Sequence, residues 1–129
     1  MIAEGHYLGP HSDNHPLYCD WTDRNESLVT KQEFADDLQA NLAAMRNVGV
    51  PTEGQRPLFI PPYEWYNREQ ARWCDELGVT LINFTPGSGS NRDYAPEGDR
   101  AFVPSAKLRD DILSYEQRDE HGLNGFVLL

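Results

Sequence analysis

At 129 residues, with 39% apolar and 25% charged residues, the chain has the size and balance of one folded domain with a hydrophobic core. Three tryptophans, six tyrosines and five phenylalanines are too many for a disordered segment, and no apolar run approaches the roughly 20 residues of a membrane helix. The formal net charge of −10 repels phosphate backbones, which argues against nucleic acid as a partner and suits a neutral or cationic substrate.

The chain opens without a basic, apolar signal sequence, so any export signal is expected to lie outside it. Gly5 to Trp21 then concentrates three of the four histidines, His6, His11 and His15. Imidazole is the commonest protein ligand for zinc and similar ions, and two rings separated by three residues can reach one ion. Pro10 and Pro16 flank the His11–His15 pair, and a proline disfavours helix for the residue before it. The expectation is therefore a strand end running into a loop that converges the two rings, with Ser12 and Asn14 supplying hydrogen bonds that fix a ring tautomer. His6 reads as a structural histidine near the site. Cys19 and Cys74 are either a disulfide or two buried thiols; thiols are favoured, because one pair makes no framework.

The first helix is expected to open at Thr30, where Thr30-Lys31-Gln32-Glu33 forms a capping box. Phe34, Leu38, Leu42 and Met45 recur at helical spacing, and Gly49 is the stop. The apolar run Leu58-Phe59-Ile60 reads as a strand before a double proline. A second helix opens at Asn67, with Gln70 in the reciprocal capping position, Ala71, Cys74 and Leu77 as its inner stripe, and Gly78 as its end. Val79 to Phe84 follows as a second strand. Gly87-Ser88-Gly89-Ser90 lacks the Lys-Ser/Thr of a phosphate loop and reads as a flexible loop. A third helix runs from near Ser105 through Leu108, Ile112 and Tyr115, and fades by Gln117 to His121. Phe126 to Leu129, entered through Gly125, is the last strand expected. Continuous apolar strands alternating with helices predict an α/β fold with a parallel sheet. Asp36-Asp37 and Asp110-Asp111 fall in predicted helices and read as solvated faces. Asn25-Glu26-Ser27 and Asn83-Phe84-Thr85 are formal glycosylation sequons. Trp21, Tyr63, Trp65 and Tyr66 can form a surface on which sugar rings stack.

A bare His-x-x-x-His pair more often marks a polar loop than a site, and here the surrounding residues carry the argument. Gly5-His6-Tyr7-Leu8-Gly9-Pro10-His11-Ser12-Asp13-Asn14-His15-Pro16 resembles the metal-binding motif of the NodB-type polysaccharide deacetylases, whose usual form is close to Gly-His-x-Ile-Gly-Asn-His-Ser/Thr-x-x-His-Pro. Phe59-Ile60-Pro61-Pro62-Tyr63 resembles that family's Phe-Arg-Pro-Pro-Tyr motif. The fuller run from Pro61 to Asn67, and Asn83-Phe84-Thr85-Pro86-Gly87, resemble a less common branch. The resemblance covers most of the chain.

It implies a distorted (β/α) barrel, incomplete at both ends, and a single partial domain over residues 1–129. It also implies a hydrolase that removes acetyl groups from N-acetylated oligo- or polysaccharides, chitin-like or peptidoglycan-like. In that family a divalent ion, usually zinc, is held by an aspartate and two histidines; it polarises the acetyl carbonyl and activates water. A second aspartate is the general base, and a late histidine protonates the leaving amine. Carried onto this sequence, His11 and His15 are the metal ligands, while Pro62, Tyr63 and Trp65 line the groove and the Tyr63 N–H helps hold the oxyanion. The family's proteins are typically secreted, periplasmic or attached to the cell envelope.

The sequence departs from the family in three places. Only Met1 to Glu4 precede the histidine segment, where the family carries its aspartate pair, and Asp13 or Asp20 is the nearest substitute for the third ligand. Ile60 stands where the family has an arginine. The closing Leu-x-His motif would begin at Leu128-Leu129, and His121 reads as a surface residue. The expectation is thus a truncated deacetylase of impaired activity, or else a non-catalytic carbohydrate-binding or scaffold protein on a degenerate fold. An incomplete barrel would also self-associate through exposed strand edges.

Overall fold

Local signals place the three helices. In the computed structural model, which describes residues 1–52, 54 and 56–129, α1 spans Lys31–Asn47. Thr30 accepts from the Glu33 N–H, and the Glu33 side chain accepts in return from the Thr30 N–H, so two of the helix's orphan donors are satisfied. A left-handed Gly49 (φ 83°) follows its end. Helix α2, Arg68–Glu76, repeats the device with Asn67 and Gln70, and a left-handed Gly78 (φ 76°) turns the chain out of it. Helix α3 covers Ser105–Arg118 without a side-chain cap.

The sheet departs from expectation. Strands β1 (Leu58–Phe59) and β2 (Thr80–Leu81) pair in parallel, Leu58 opposite Thr80 and Phe59 opposite Leu81. They form one two-stranded sheet, the whole of the regular sheet among the described residues. The expected (β/α) barrel is therefore not what this chain forms, even as an incomplete one. A barrel needs successive tilted strands, each paired on both edges, and two strands of two residues supply one shared edge. Phe126 to Leu129 is not a strand; Val127 meets Thr85 through two hydrogen bonds, Thr85 N–H to the Val127 carbonyl at 2.9 Å and Val127 N–H to the Thr85 hydroxyl at 3.0 Å. Nor does a strand lead into the histidine segment, which is loop from His6 to Pro10.

The chain divides into two compact units, Met1–Asn83 and Phe84–Leu129. In the first, Tyr18, Phe34, Leu38, Leu42, Phe59, Cys74 and Val79 form the core, flanked by Val29, Met45, Trp73, Leu77 and Leu81. Phe34 is its hub: its ring lies 4.7 Å from Tyr18, 5.9 Å from Phe59 and 5.6 Å from Trp73. Burying one such side chain stabilises by roughly 1.5–3 kcal/mol. Cys19 and Cys74 are buried free thiols, as the sequence favours; burial pushes the Cys74 thiol up to about 12, so it is inert as a nucleophile. In the second unit, α3 buries no residue fully. Tyr115 packs on Phe126 at 4.8 Å, and Arg92 and Lys107 converge on Asp111 at 2.6 Å each. The Gly87 to Ser90 segment is packed in place: Ser88 and Ser90 are buried, and the Ser90 hydroxyl accepts from the Leu129 N–H. Among the described residues no helix is long and apolar enough to cross a membrane.

Candidate metal and sugar-binding site

The histidine loop is pinned to the first unit from three sides. Gly9 runs so close to β1 that a Cβ there would collide with the Leu58 carbonyl oxygen, which is a physical reason for glycine at this position. Two residues earlier, the Tyr7 hydroxyl accepts from the Leu58 N–H at 2.7 Å. On the other side, the Asp37 carboxylate of α1 accepts from the Asp13 N–H (3.1 Å), the Asn14 N–H (2.8 Å) and the Asn14 side-chain amide (2.9 Å). Asn41, one turn further along α1, accepts from the His11 N–H.

The result brings His11 and His15 together with ring centroids 5.1 Å apart. Two imidazoles on one tetrahedral ion, each with a metal–nitrogen bond of about 2.0–2.1 Å, have centroids about 5 Å apart; the pair has that spacing, with its ring planes 65° apart. Ring polarity fits as well. His11 Nδ1 lies 2.8 Å from the Ile60 carbonyl; that oxygen can only accept, so Nδ1 carries the proton and Nε2 is left with its lone pair for a ligand. The group that orients this ring is therefore a backbone carbonyl. Ser12 and Asn14, expected to hold ring tautomers, instead hold backbone: the Ser12 hydroxyl accepts from the His15 N–H at 2.8 Å, and Asn14 binds Asp37.

Facing the pair is the turn Pro62–Glu64. Tyr63 sets its ring 4.5 Å from that of His15. Among the described residues, the non-glycine positions with positive φ are Ser12 (78°), His15 (52°), Tyr63 (58°) and Glu64 (53°). All four lie in the histidine loop or in this turn. Backbone strain of this kind costs about 1–3 kcal/mol per residue and collects where a site demands it. No acceptor for the Tyr63 N–H is found among the described residues.

The remaining expected groups do not join the pair. Among the described residues no cluster of three His, Cys, Asp or Glu side chains could hold a metal. Asp20 is committed to its own loop, where its carboxylate accepts from the Asp23 and Thr22 N–H groups; these bonds hold its carboxyl below the usual range. Asp13 meets Asp37 through its backbone. His6 lies 3.8 Å from Glu4, and His121 is an exposed residue of the second unit.

From Tyr63 an aromatic surface continues. Its ring is 5.6 Å from Trp21, which is 5.5 Å from Trp65. Trp21 and Tyr63 are about half exposed, 55% and 46%, while Pro62 is buried. The Trp65 indole N–H donates to the Asp20 carbonyl at 3.2 Å, which fixes the ring's edge. Arg24 lies 4.2 Å above Trp65, a cation–π contact.

Asp37, Asn41 and Arg24 are the site residues that the sequence reading passes over. Asp37 and Asn41 had a signal: with Phe34, Leu38 and Leu42 they complete the i, i+3, i+4, i+7, i+8 stripe that a helix turns inward. A polar residue on that stripe is buried and needs partners; the reading of Asp37 as a solvated residue is corrected accordingly, since it is 9% exposed. Comparison with known proteins adds no family to this geometry: no family model matches the chain, and no curated protein or solved structure is significantly similar to it.

Proposed function

We propose that this chain binds a divalent cation through His11 and His15 and an N-acetylated oligosaccharide along Tyr63, Trp21 and Trp65, in the manner of a metal-dependent sugar deacetylase related to the NodB type. The observation that carries the reading is the 2.8 Å contact from His11 Nδ1 to the Ile60 carbonyl beside a second imidazole at 5.1 Å. It supports a ring oriented for metal rather than a histidine exposed by chance. A divalent ion held there would supply Lewis acidity toward an acetamide carbonyl. The chain's own contributions are separate. The Tyr63 N–H is a donor for the carbonyl oxygen, and the indole and phenol faces bind the apolar faces of pyranose rings. Asp37 keeps the loop in its strained conformation. No side chain here is assigned as general base or general acid, and the loss of such a group typically costs about 10²–10⁴ in rate. Acetate release by this chain is therefore expected to be slow.

A non-catalytic sugar-binding protein is the second reading, favoured by the exposed Trp21 and Tyr63 faces next to a pair of histidines that no carboxylate joins among the described residues. Calorimetric zinc titration of the chain and of a His11→Ala, His15→Ala double variant tests the metal site; equal uptake by both sinks it. Acetate release from N-acetylglucosamine oligomers separates the two readings. Slow, zinc-dependent release supports the deacetylase. Binding of the oligomer with no release at any zinc concentration selects the binding protein.

A further inference from the structure

The aromatic surface ends at a cavity of about 310 Å³ lined by Arg24, Asn25, Tyr66, Asn67, Arg68 and Ala71. The chain as a whole has 21 acidic residues against 11 basic ones, yet this wall holds two arginines and no carboxylate. Neither arginine is ion-paired among the described residues, whereas Arg56, Arg92 and Arg109 each have an aspartate. Arg24 is also held in place. Its Nε donates to the Tyr66 carbonyl at 2.6 Å, and its guanidinium stacks on Trp65 at 4.2 Å and lies 5.4 Å from the Tyr66 ring. Nε is thereby used within the protein, while both terminal nitrogens keep their N–H donors. Of the backbone donors at the start of α2, the Glu69 and Gln70 N–H groups are already taken by the Asn67 side chain, and the cavity's formal charge rests on the two arginine side chains.

A planar guanidinium with its terminal donors free matches a carboxylate bidentately. We infer that this cavity seats the carboxylate of an acidic sugar residue in an N-acetylated chain. Trp65 is the link: one ring neighbour is Trp21, on the path to Tyr63 and His15, and the other is Arg24. An oligosaccharide lying along this path stacks a ring on the indoles and reaches the arginines with the substituent of a neighbouring ring. The inference rests on the sugar-binding reading above and narrows it from N-acetylated sugars in general to chains that alternate neutral and carboxylate-bearing residues.

The test uses the whole chain and two tetrasaccharides of alternating N-acetylglucosamine and N-acetylmuramic acid, one with free carboxylates and one with those groups converted to primary amides. Calorimetry is expected to give about tenfold tighter binding of the acid form, equivalent to about 1.4 kcal/mol, with a preference that shrinks as salt rises. In Arg24→Gln and in Arg68→Gln the ratio between the two ligands is expected to fall to about unity. Arg68 carries the test if loss of the Arg24 stack disturbs the loop, because no hydrogen bond or ion pair from its side chain is found among the described residues. Equal affinity of the unaltered chain for acid and amide overturns the inference and leaves the sugar-binding reading standing. Failure to bind either ligand, or the neutral N-acetylglucosamine tetramer, overturns both. A preference that survives both arginine variants, or an O-sulfated oligomer bound more tightly than the carboxylate, also overturns the assignment.

Discussion

Asp37 and Asp111 each gather several donors, one within the fold and one at its surface. The Asp37 carboxylate takes three uncharged N–H groups from the histidine loop, in a residue only 9% exposed. Asp111 takes two cations, Lys107 and Arg92. Its carboxyl sits below the usual range, held there first by the Lys107 hydrogen bond and, against an opposing desolvation cost, by the Lys107 charge and by Arg92. Water can replace an acceptor lost at the surface, but it replaces less well the buried Asp37 carboxylate in these part-buried bonds. A loop that must keep Ser12 and His15 at positive φ needs the first kind of anchor. A helix face that only needs to stay attached to a neighbouring segment can use the second.

That contrast can be broken by measurement. Asp37→Ala should have the largest effect, because it strands three donors at once: about 3 kcal/mol of stability in urea unfolding, together with a zinc affinity lower by about 10–100-fold. Asp37→Asn keeps an acceptor and should recover part of both losses. If Asp37→Ala unfolds no more easily than Asp111→Asn, burial is not what distinguishes the two anchors. Gly9→Ala comes next. Its Cβ meets a backbone oxygen that has nowhere to go, so a loss of roughly 1–3 kcal/mol is expected, with displacement of the His11 and His15 ring signals in NMR spectra. Unchanged ring signals would show that the loop does not depend on this close approach.

Asp111→Asn should have the smallest effect, and its pH dependence carries the information. The folded-state pKa of Asp111 is lowered, so its contribution is complete above the unfolded value of about 3.9 and disappears as pH falls through the folded value. Hydrogen exchange of α3 amides should therefore separate the variant from the parent at about pH 7, and the two should converge well below about pH 4. High salt should narrow the gap at neutral pH, since the pairs are exposed. A gap that persists in acid would assign another role to Asp111.

Much of the local architecture is legible in the sequence. Thr30 with Glu33 and Asn67 with Gln70 are capping pairs that span three residues, so no tertiary information is needed to find them. Pro10 and Pro16 bar a helix around His11 and His15 by local sterics, and the histidine pair with its following Pro-Pro-Tyr turn identifies the two segments that meet at the site. The sheet is less legible. Apolar runs at Leu58 and Val79 do pair in parallel, but a third run, Phe126 to Leu129, has the same composition and forms no strand, because pairing depends on which edge is within reach. What the tertiary structure alone decided is how the loop is held. His11 is oriented by a carbonyl 49 residues away, Asn14 by a carboxylate 23 residues away, and β1 is tied to Tyr7 across 51 residues. Contacts over such separations are set by how elements dock, and only short-range bonds are written into the spacing of neighbouring residues.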